Sequence, residues 1–148
     1  MPDKPHDIVV RAAAERDYPA IARIQQRCPE AAQWPVGDYS TFSVLIAFDD
    51  VTPAGFCAWR QTSAEEAELL NLGVDPDHRR HGVAAALLGA LSHAAKGDIF
   101  LEVAETNAAA MALYRKLGWV ESGIRRGYYE KGRINAVVMK KRSWYSPG

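Results

Sequence analysis

The sequence has no surplus of either charge. Its 148 residues include 18 Lys and Arg against 18 Asp and Glu, so the formal net charge is zero. Proteins that bind nucleic acid or anionic membranes normally carry a basic surplus that neutralises phosphates. We therefore expect no nucleic-acid or membrane partner. Any phosphate binding must come from a local cluster of positive charge.

Cysteines are few and long apolar runs are missing. Cys28 and Cys57 are the two cysteines, without CxxC spacing, which predicts buried thiols in a reducing compartment. The longest nearly apolar run, Val83 to Leu91, is too short to cross a bilayer. The polar, proline-containing start lacks the features of a signal peptide. We expect a soluble, cytoplasmic protein.

The composition that is present suits a single domain over residues 1–148. Hydrophobic residues make up 48% of the chain and charged residues 24%, enough for a core without disulfides. Residue patterns predict, in order, strand Ile8–Val10, helix Ala12–Gln26, loop Cys28–Tyr39, strands Ser43–Phe48, Gly55–Gln61 and Glu68–Val74, helix Gly82–Lys96, strand Ile99–Val103, helix Ala108–Leu117, and strands Trp119–Tyr129 and Ile134–Lys140. Mixed strands and helices predict an α/β sandwich around one sheet.

A short basic segment lies between a predicted strand and the first turn of a predicted helix. It consists of Arg79, Arg80, His81, Gly82, Val83 and Ala84. Unpaired N–H groups and the dipole at a helix start favour anions, and Gly82 lets a phosphate approach the backbone. No GK[ST] follows, so this is not a P-loop. A solvated basic turn is the alternative interpretation.

Histidine spacing gives little indication of a metal site. His78 and His81 are close together in the sequence, but no carboxylate, cysteine or further histidine stands at ligand spacing. His6 and His93 are scattered along the chain. Because a structural metal site needs about four such ligands, we expect no metal.

Several motifs together resemble the GCN5-related N-acetyltransferase (GNAT) superfamily. Segment 79–84 matches its Arg/Gln-x-x-Gly-x-Gly/Ala signature, with Ala84 at the second glycine. The second half of the pattern is matched by Leu101–Val103, Asn107–Ala110, Ala112–Tyr114 and Leu117–Trp119. Arg125–Tyr129 resembles the bacterial ribosomal-protein-alanine N-acetyltransferases of the RimI type. The resemblance covers nearly the whole chain and is closest from Glu65 to Lys140.

The resemblance implies a fold and a donor. The GNAT fold has a mixed, mostly antiparallel sheet of six to seven strands, helices on both faces, and a splayed acetyl-CoA cleft. Acetyl-CoA would place its pyrophosphate on the backbone N–H groups of segment 79–84. Its pantetheine arm would bond the backbone near Leu72 and Val74. The implied donor site also includes Gly73, Asn107 and Tyr114.

Two side chains are candidates for acid–base chemistry. Glu102 lies within an apolar strand and could accept a proton from the amine, directly or through a water. Its alternative roles are to face solvent or to pair with Arg125. Tyr114 matches the family position of the general acid, and its alternative role is core packing. Asn107 can cap a helix as well as contact the pantetheine arm, and the backbone N–H of Val74 is implied as the oxyanion donor.

The acceptor implied by the subfamily is the N-terminal α-amine of a protein, such as a ribosomal protein. Aromatic and acidic residues could form the walls of its groove: Trp34, Tyr39, Glu66, Glu68, Tyr128 and Tyr129. Ile134-Asn135 stands where the subfamily often has an acidic pair, which makes broader N-terminal acetylation credible. A small-molecule, polyamine or lysine acetyltransferase is the alternative enzyme, and a non-catalytic CoA-binding module is the alternative outside catalysis. We expect a monomer or a weak dimer.

Overall fold

The computed structural model describes residues 6–29 and 31–142, with the backbone alone described at Tyr129 and Glu130. The helices are α1 (Tyr18–Gln26), α2 (Val83–Ala94) and α3 (Ala108–Lys116). The strands are β1 (Ile8–Ala12), β2 (Ser43–Asp49), β3 (Thr52–Gln61), β4 (Glu66–Val74), β5 (Asp98–Ala104), β6 (Val120–Tyr129) and β7 (Ile134–Lys141). The polar start at residues 1–5 lies outside the described residues.

The seven strands form one sheet in the order β1-β2-β3-β4-β5-β7-β6. Neighbours β1–β2, β2–β3, β5–β7 and β6–β7 are antiparallel. β4 and β5 are parallel, with a ladder from Glu66–Asp98 to Glu68–Phe100. The predicted α/β class and the mixed, mostly antiparallel sheet are confirmed.

The chain divides into two compact units. Unit 1 comprises residues 1–60 and 69–94, and unit 2 comprises residues 61–68 and 95–148. β4 supplies residues to both. The single domain expected over residues 1–148 stays a prediction, and each unit is described by itself.

The core of unit 1 forms where α1 packs on the sheet. Ile21 and Ile24 of α1 are buried with Tyr39, Ile46 and Phe56. α1 begins at Tyr18, later than predicted, because residues 15–17 form a separate 3-10 turn. The Asp17 carboxylate caps the start of that turn by accepting a hydrogen bond from the Ala14 N–H.

The β2–β3 hairpin is tighter than the six-residue turn that the sequence predicts. Its turn residues are Asp50 and Val51, and Asp50 has a φ of +56°, a conformation that Asp tolerates. β3 therefore begins at Thr52 and includes Pro53 near its first residue, where a proline is accepted.

Helix α2 packs closely on the strands of unit 1. Its buried residues, Val83, Leu87, Leu88 and Leu91, form one apolar stripe at helical spacing. A Cβ at Gly55 would lie 2.7 Å from a methyl of Val83. Glycine at position 55 therefore lets the first turn of α2 approach β3.

Unit 2 contains β5, α3 and the β6–β7 hairpin. β5 alternates buried and half-buried residues along its length. The Asn107 side chain accepts a hydrogen bond from the Ala110 N–H at 3.1 Å and caps α3, as predicted. Gly118 follows α3 with a φ of +92°, and the helix stops there.

Neither a disulfide nor a membrane-spanning helix is present among the described residues. Neither Cys28 nor Cys57 forms a disulfide and both are buried, as predicted, and burial raises the pKa of the Cys57 thiol to about 12. None of the helices in the described ranges is both long and apolar enough to span a bilayer.

Candidate active site

The predicted anion-binding segment in unit 1 forms a loop with two residues in left-handed conformations. Arg80 has a φ of +68° and Gly82 a φ of +85°, and the Gly82 carbonyl accepts the first bond of α2 from Ala86 N–H at 3.0 Å. No atom lies within 4 Å of the position that a Cβ at Gly82 would take. Alternating backbone conformations of this kind direct successive N–H groups into one concavity. Segment 79–84 therefore has the local geometry of an anion cradle.

Charged pairs hold the turn that precedes this cradle. The Arg27 guanidinium, just after α1, donates to Asp75 at 3.0 Å and to Asp77 at 3.1 Å. The Asp75 carboxylate also accepts from the Asp77 N–H at 2.9 Å. The pKa of Asp77 is lowered, first by its hydrogen bond from Arg27. Sequence reasoning missed this support because Arg27 lies about 50 residues from its partners in the chain.

A histidine cluster lies beside the cradle. The Nδ1 atoms of His6, His78 and His81 are 2.7, 2.8 and 2.7 Å from carboxylate oxygens of Asp49. The hydrogen bond from His78, followed by those from His81 and His6, holds the pKa of Asp49 well below its usual range against the opposing effect of burial. The premise that no carboxylate or further histidine accompanies His78 and His81 is therefore wrong. Residues distant in the sequence meet in the fold.

The implied pantetheine segment of β4 has close backbone packing on one side. Gly73 faces Phe56, whose ring would lie 2.7 Å from a Cβ at that position. Leu72 and Val74 are half-buried on the opposite face. The Val74 carbonyl accepts a hydrogen bond from the Cys28 thiol at 3.0 Å. Phe56 and Cys28 thus contact the backbone of residues 72–74 and hold it in place.

Glu102 lies on the half-buried face of β5 in unit 2. Its side chain is 23% exposed, and Arg125 Nη1 donates to its two oxygens at 3.1 and 3.4 Å. The pKa of Arg125 is raised, mainly by this hydrogen bond. Glu68 pairs with Phe100 in the ladder, which places it on the same face as Glu102. The alternative role of Glu102, pairing with Arg125, is therefore confirmed, whereas its role as the base stays a prediction.

Aromatic and basic side chains extend this face of unit 2. The Arg125 guanidinium stacks 4.4 Å from the ring centre of Tyr128. Glu66, at the start of the β4–β5 ladder, is the backbone register partner of Asp98. The Asp98 carboxylate forms an ion pair with Lys140 at 3.1 Å. The predicted wall residues Glu68 and Tyr128 both act electrostatically on Arg125. The predicted role of the Tyr129 side chain lies outside the described residues.

Tyr114 of α3 is a buried residue of unit 2. Its ring centre lies 5.7 Å from that of Trp119, and the backbone N–H of Trp119 donates to the backbone carbonyl of Tyr114 at 2.9 Å. The packing role weighed for Tyr114 is confirmed. A packed ring also holds its hydroxyl in one place, as an acid would require.

Asn135 connects three segments of unit 2. Its Oδ1 accepts from the Gly127 N–H at 2.9 Å, and its Nδ2 donates to Glu105 at 3.4 Å. The Asn135 carbonyl accepts from the Glu105 N–H at 3.0 Å. The residue that departs from the subfamily pattern thus ties the hairpin bearing Arg125 to the end of β5. The sequence identified Asn135 as a departure from the subfamily pattern, but it did not predict these hydrogen bonds.

Trp34 and Tyr39 of unit 1 belong to an aromatic cluster. Trp34 is half-buried, with ring centres 5.5 Å from Tyr39 and 5.1 Å from Phe42. Tyr39 is fully buried, burial raises its pKa to about 12, and its hydroxyl donates to Gln25. The prediction that Tyr39 forms a groove wall is therefore wrong, because its ring belongs to the core.

Side-chain amides position the loop around Trp34. Asn71 of β4 accepts from the Ala32 N–H at 3.0 Å and donates to the Ala32 carbonyl at 2.9 Å. Gln25 donates to the Trp34 carbonyl at 2.9 Å. A buried amide in an apolar helix or strand pattern is the sequence signal that could have found both residues.

Comparisons with known proteins agree with these features. The Acetyltransferase (GNAT) family matches residues 10–119. A [Ribosomal protein bS18]-alanine N-acetyltransferase from Salmonella typhimurium is 35% identical over 137 residues, or 83% of this chain and 89% of that protein. The Escherichia coli K12 protein of the same name is 44% identical over 85 residues, or 53% of this chain and 57% of that protein. That match spans little more than half of the relative's length.

The fold of this chain is also similar to that of a solved acetyltransferase structure. The crystal structure of the ribosomal-protein-S18-alanine N-acetyltransferase from Escherichia coli superposes with a TM-score of 0.81 and 30% identity, covering 95% of this chain and 97% of that one. The family match extends over most of the chain, and so does the match to the Salmonella typhimurium relative. This chain belongs to the GNAT acetyltransferase family.

Proposed function

We propose that the protein transfers the acetyl group of acetyl-CoA to the N-terminal α-amine of a protein. The observation that carries the proposal is Glu102, a carboxylate held by Arg125 on the half-buried face of β5. An ionised carboxylate in that setting can accept a proton from an amine. The buried Tyr114 of the same unit supplies a phenol of fixed orientation.

The donor fits the cradle of unit 1. The backbone N–H groups at the start of α2 hold the pyrophosphate, and Arg79 and Arg80 add positive charge in a neutral chain. Gly82 leaves room for the phosphate. The pantetheine arm bonds the backbone of Leu72, Gly73 and Val74, with contacts from Asn107 and Tyr114. Acetyl-CoA supplies the activated acetyl group.

The chemistry is a direct transfer. The amine nitrogen forms a bond to the acetyl carbonyl carbon, and the carbon–sulfur bond breaks. The Val74 N–H stabilises the negative charge on the carbonyl oxygen. The acceptor ammonium loses two protons in all, the first accepted by Glu102 and passed to solvent. The second leaves the nitrogen as the carbon–sulfur bond breaks and, through solvent, replaces the proton that Tyr114 gives to the CoA sulfur.

An α-amine is the acceptor that this chemistry favours. Its pKa of roughly 7.7–8.0 leaves a neutral fraction at physiological pH, whereas a lysine near 10.4 is almost fully charged. Glu66 and Glu68 attract the cationic terminus, and Trp34 and Tyr128 contact the following residues. The relatives named for ribosomal protein acetylation support a ribosomal acceptor in the cytoplasm. Asn135, in place of an acidic residue, favours a broader range of N-termini.

A peptide panel tests the acceptor. It compares a peptide with a free N-terminus, the same peptide blocked at its N-terminus with an internal lysine, and spermidine, with acetylation sites located by mass spectrometry. We expect acetylation of the free terminus and little of the other two. Acetylation confined to lysine would contradict the α-amine, and preference for spermidine would favour the small-molecule alternative.

A further inference from the structure

Three of the four histidines in the chain meet at one carboxylate in unit 1. His6 precedes β1, His78 ends the turn after β4, and His81 immediately precedes Gly82 and α2. All three direct Nδ1 at Asp49, the last residue of β2. The four residues come from three segments of the chain, since His78 and His81 share one loop, so the fold brings the cluster together.

The donor atoms are already close enough to share one ion. One ligand atom each from His6, Asp49 and His81 lies within 4.8 Å of the others. His78 Nδ1 is 2.8 Å from the same carboxylate but does not belong to this mutually close group, so His78 orients Asp49 and is not counted as a ligand. Around a tetrahedral Zn²⁺ with bonds of about 2.0–2.1 Å, neighbouring ligand atoms are roughly 3.3 Å apart. The contacts of His6 and His81 with the Asp49 carboxylate, at 2.7 Å, would need to open by about half an ångström.

The carboxylate of the cluster is more deeply buried than the three imidazoles, an arrangement that suits a metal site. The Asp49 side chain is 3% exposed, whereas those of His6, His78 and His81 are 35%, 20% and 27% exposed. The anionic ligand thus lies at the bottom and the imidazoles at the solvent side. An ion can reach the site without the core opening.

The ligand chemistry selects among cations. Imidazole nitrogens suit zinc and neighbouring transition metals, whereas Mg²⁺ and Ca²⁺ prefer oxygen. Each neutral imidazole can present a lone pair at Nδ1 by carrying its proton on Nε2. Two imidazoles and one carboxylate leave the fourth position of a tetrahedral ion to water.

We propose that His6, Asp49 and His81 bind one divalent transition-metal ion, best matched by Zn²⁺, with His78 holding the Asp49 carboxylate in place. The ion would join the segment before β1 and the end of β2 to the loop that contains Arg79 and Arg80. It would therefore fix the shape of the cradle without taking part in acetyl transfer. The proposal is independent of the proposed function.

The test uses untagged protein stripped with a chelator and titrated with Zn²⁺ by calorimetry, with bound metal measured by elemental analysis. We expect about one Zn²⁺ per chain and a rise in melting temperature on binding. His6→Ala, at a partly exposed position, and His81→Ala should each weaken binding by at least about tenfold. His93→Ala, which removes the histidine outside the cluster, should leave the affinity unchanged.

Cobalt gives a second readout. Co²⁺ in the cluster should show the intense visible absorption of a tetrahedral ion, and His6→Gln should abolish it while the melting temperature of the metal-free protein stays unchanged. The proposal is overturned if the stripped wild type binds no Zn²⁺. It is equally overturned if the His6 and His81 variants bind as tightly as His93→Ala.

Discussion

The carboxylate of Glu102 on β5 and the guanidinium of Arg125 on β6 form an ion pair, with 3.1 Å between Oε1 and Nη1. The Arg125 side chain is 59% exposed, so solvent screens the pair and its contribution to stability is small. Its main effect is on orientation, because the guanidinium restricts the direction in which Glu102 can point. Asn135 supports this arrangement by tying the β6–β7 hairpin to Glu105.

Replacing the carboxylate of Glu102 should remove the base. We expect Glu102→Gln to lower kcat/KM by about 10²–10⁴, the usual contribution of general base catalysis. Steady-state acetylation of the free-terminus peptide measures it. Glu121→Gln is the matched control, since Glu121 is exposed on β6 and pairs with Arg115. Equal losses in both variants would show that Glu102 has no special role.

Removing the hydroxyl of Tyr114 should separate its chemistry from its packing. Tyr114→Phe keeps the ring that contacts Trp119, so the free energy of unfolding should change by less than about 1.5 kcal/mol. We expect kcat to fall about 100-fold through loss of the acid. Tyr18→Phe on α1 serves as the control. Unchanged kcat in Tyr114→Phe would leave Tyr114 as a packing residue alone.

The contact between Gly55 and α2 should govern the donor site. A Cβ at Gly55 would meet Val83 at 2.7 Å and the Gly73 carbonyl at 3.0 Å. Gly55→Ala should therefore lower the free energy of unfolding by about 1–3 kcal/mol and weaken acetyl-CoA binding. Denaturant unfolding and calorimetry measure the two effects.

Gly89 gives the control for Gly55. It lies on α2, and no atom lies within 4 Å of the position that a Cβ there would take. Gly89→Ala should therefore stabilise the protein by about 0.5–1 kcal/mol through helix propensity. Its affinity for acetyl-CoA should not change. A loss of stability in Gly89→Ala that matches Gly55→Ala would contradict the packing account.

The ion pair between Arg11 and Asp17 should make stability depend on acid pH. Hydrogen bonds from Arg11, aided by the Ala14 N–H, lower the pKa of Asp17 from 3.8 to about 2. A lowered carboxylate pKa stabilises the fold above the unfolded value, and that stabilisation is lost as the pH falls through the folded value. Since Arg11 is partly exposed, Asp17→Asn should cost about 1–2 kcal/mol at neutral pH.

The pH profile provides the check for Asp17. The difference between wild type and Asp17→Asn in denaturant unfolding should shrink between about pH 4 and pH 2. Asp38→Asn, at an exposed position, should show little effect at any pH. A difference that persists at pH 2 would assign the stabilisation to something other than charge.

Features with local causes were predictable from the sequence. The Asn107 cap, the stop at Gly118 and the apolar stripe of α2 each depend on a few neighbouring residues. The composition of segment 79–84 was enough to locate its loop. The left-handed backbone of Arg80 was not predicted, because arginine has no preference for that conformation.

Features that join distant segments were not predictable. Asp49 lies 43, 29 and 32 residues from His6, His78 and His81, and periodicity carries no information about which segments meet. The sequence favours a groove position for Tyr39 because loops usually lie at the surface. Its hydrogen bond to Gln25 explains how a tyrosine in such a segment becomes fully buried.

The measurement that tests the central claim most directly is acetyl transfer by the Glu102→Gln/Tyr114→Phe double variant at saturating acetyl-CoA. Thermal shift with acetyl-CoA reports donor binding in the same samples. Because the backbone cradle and the ring at position 114 are kept, we predict a thermal shift close to that of the wild type, with a transfer rate at least about 10³-fold lower. Wild-type turnover by the double variant would contradict the account.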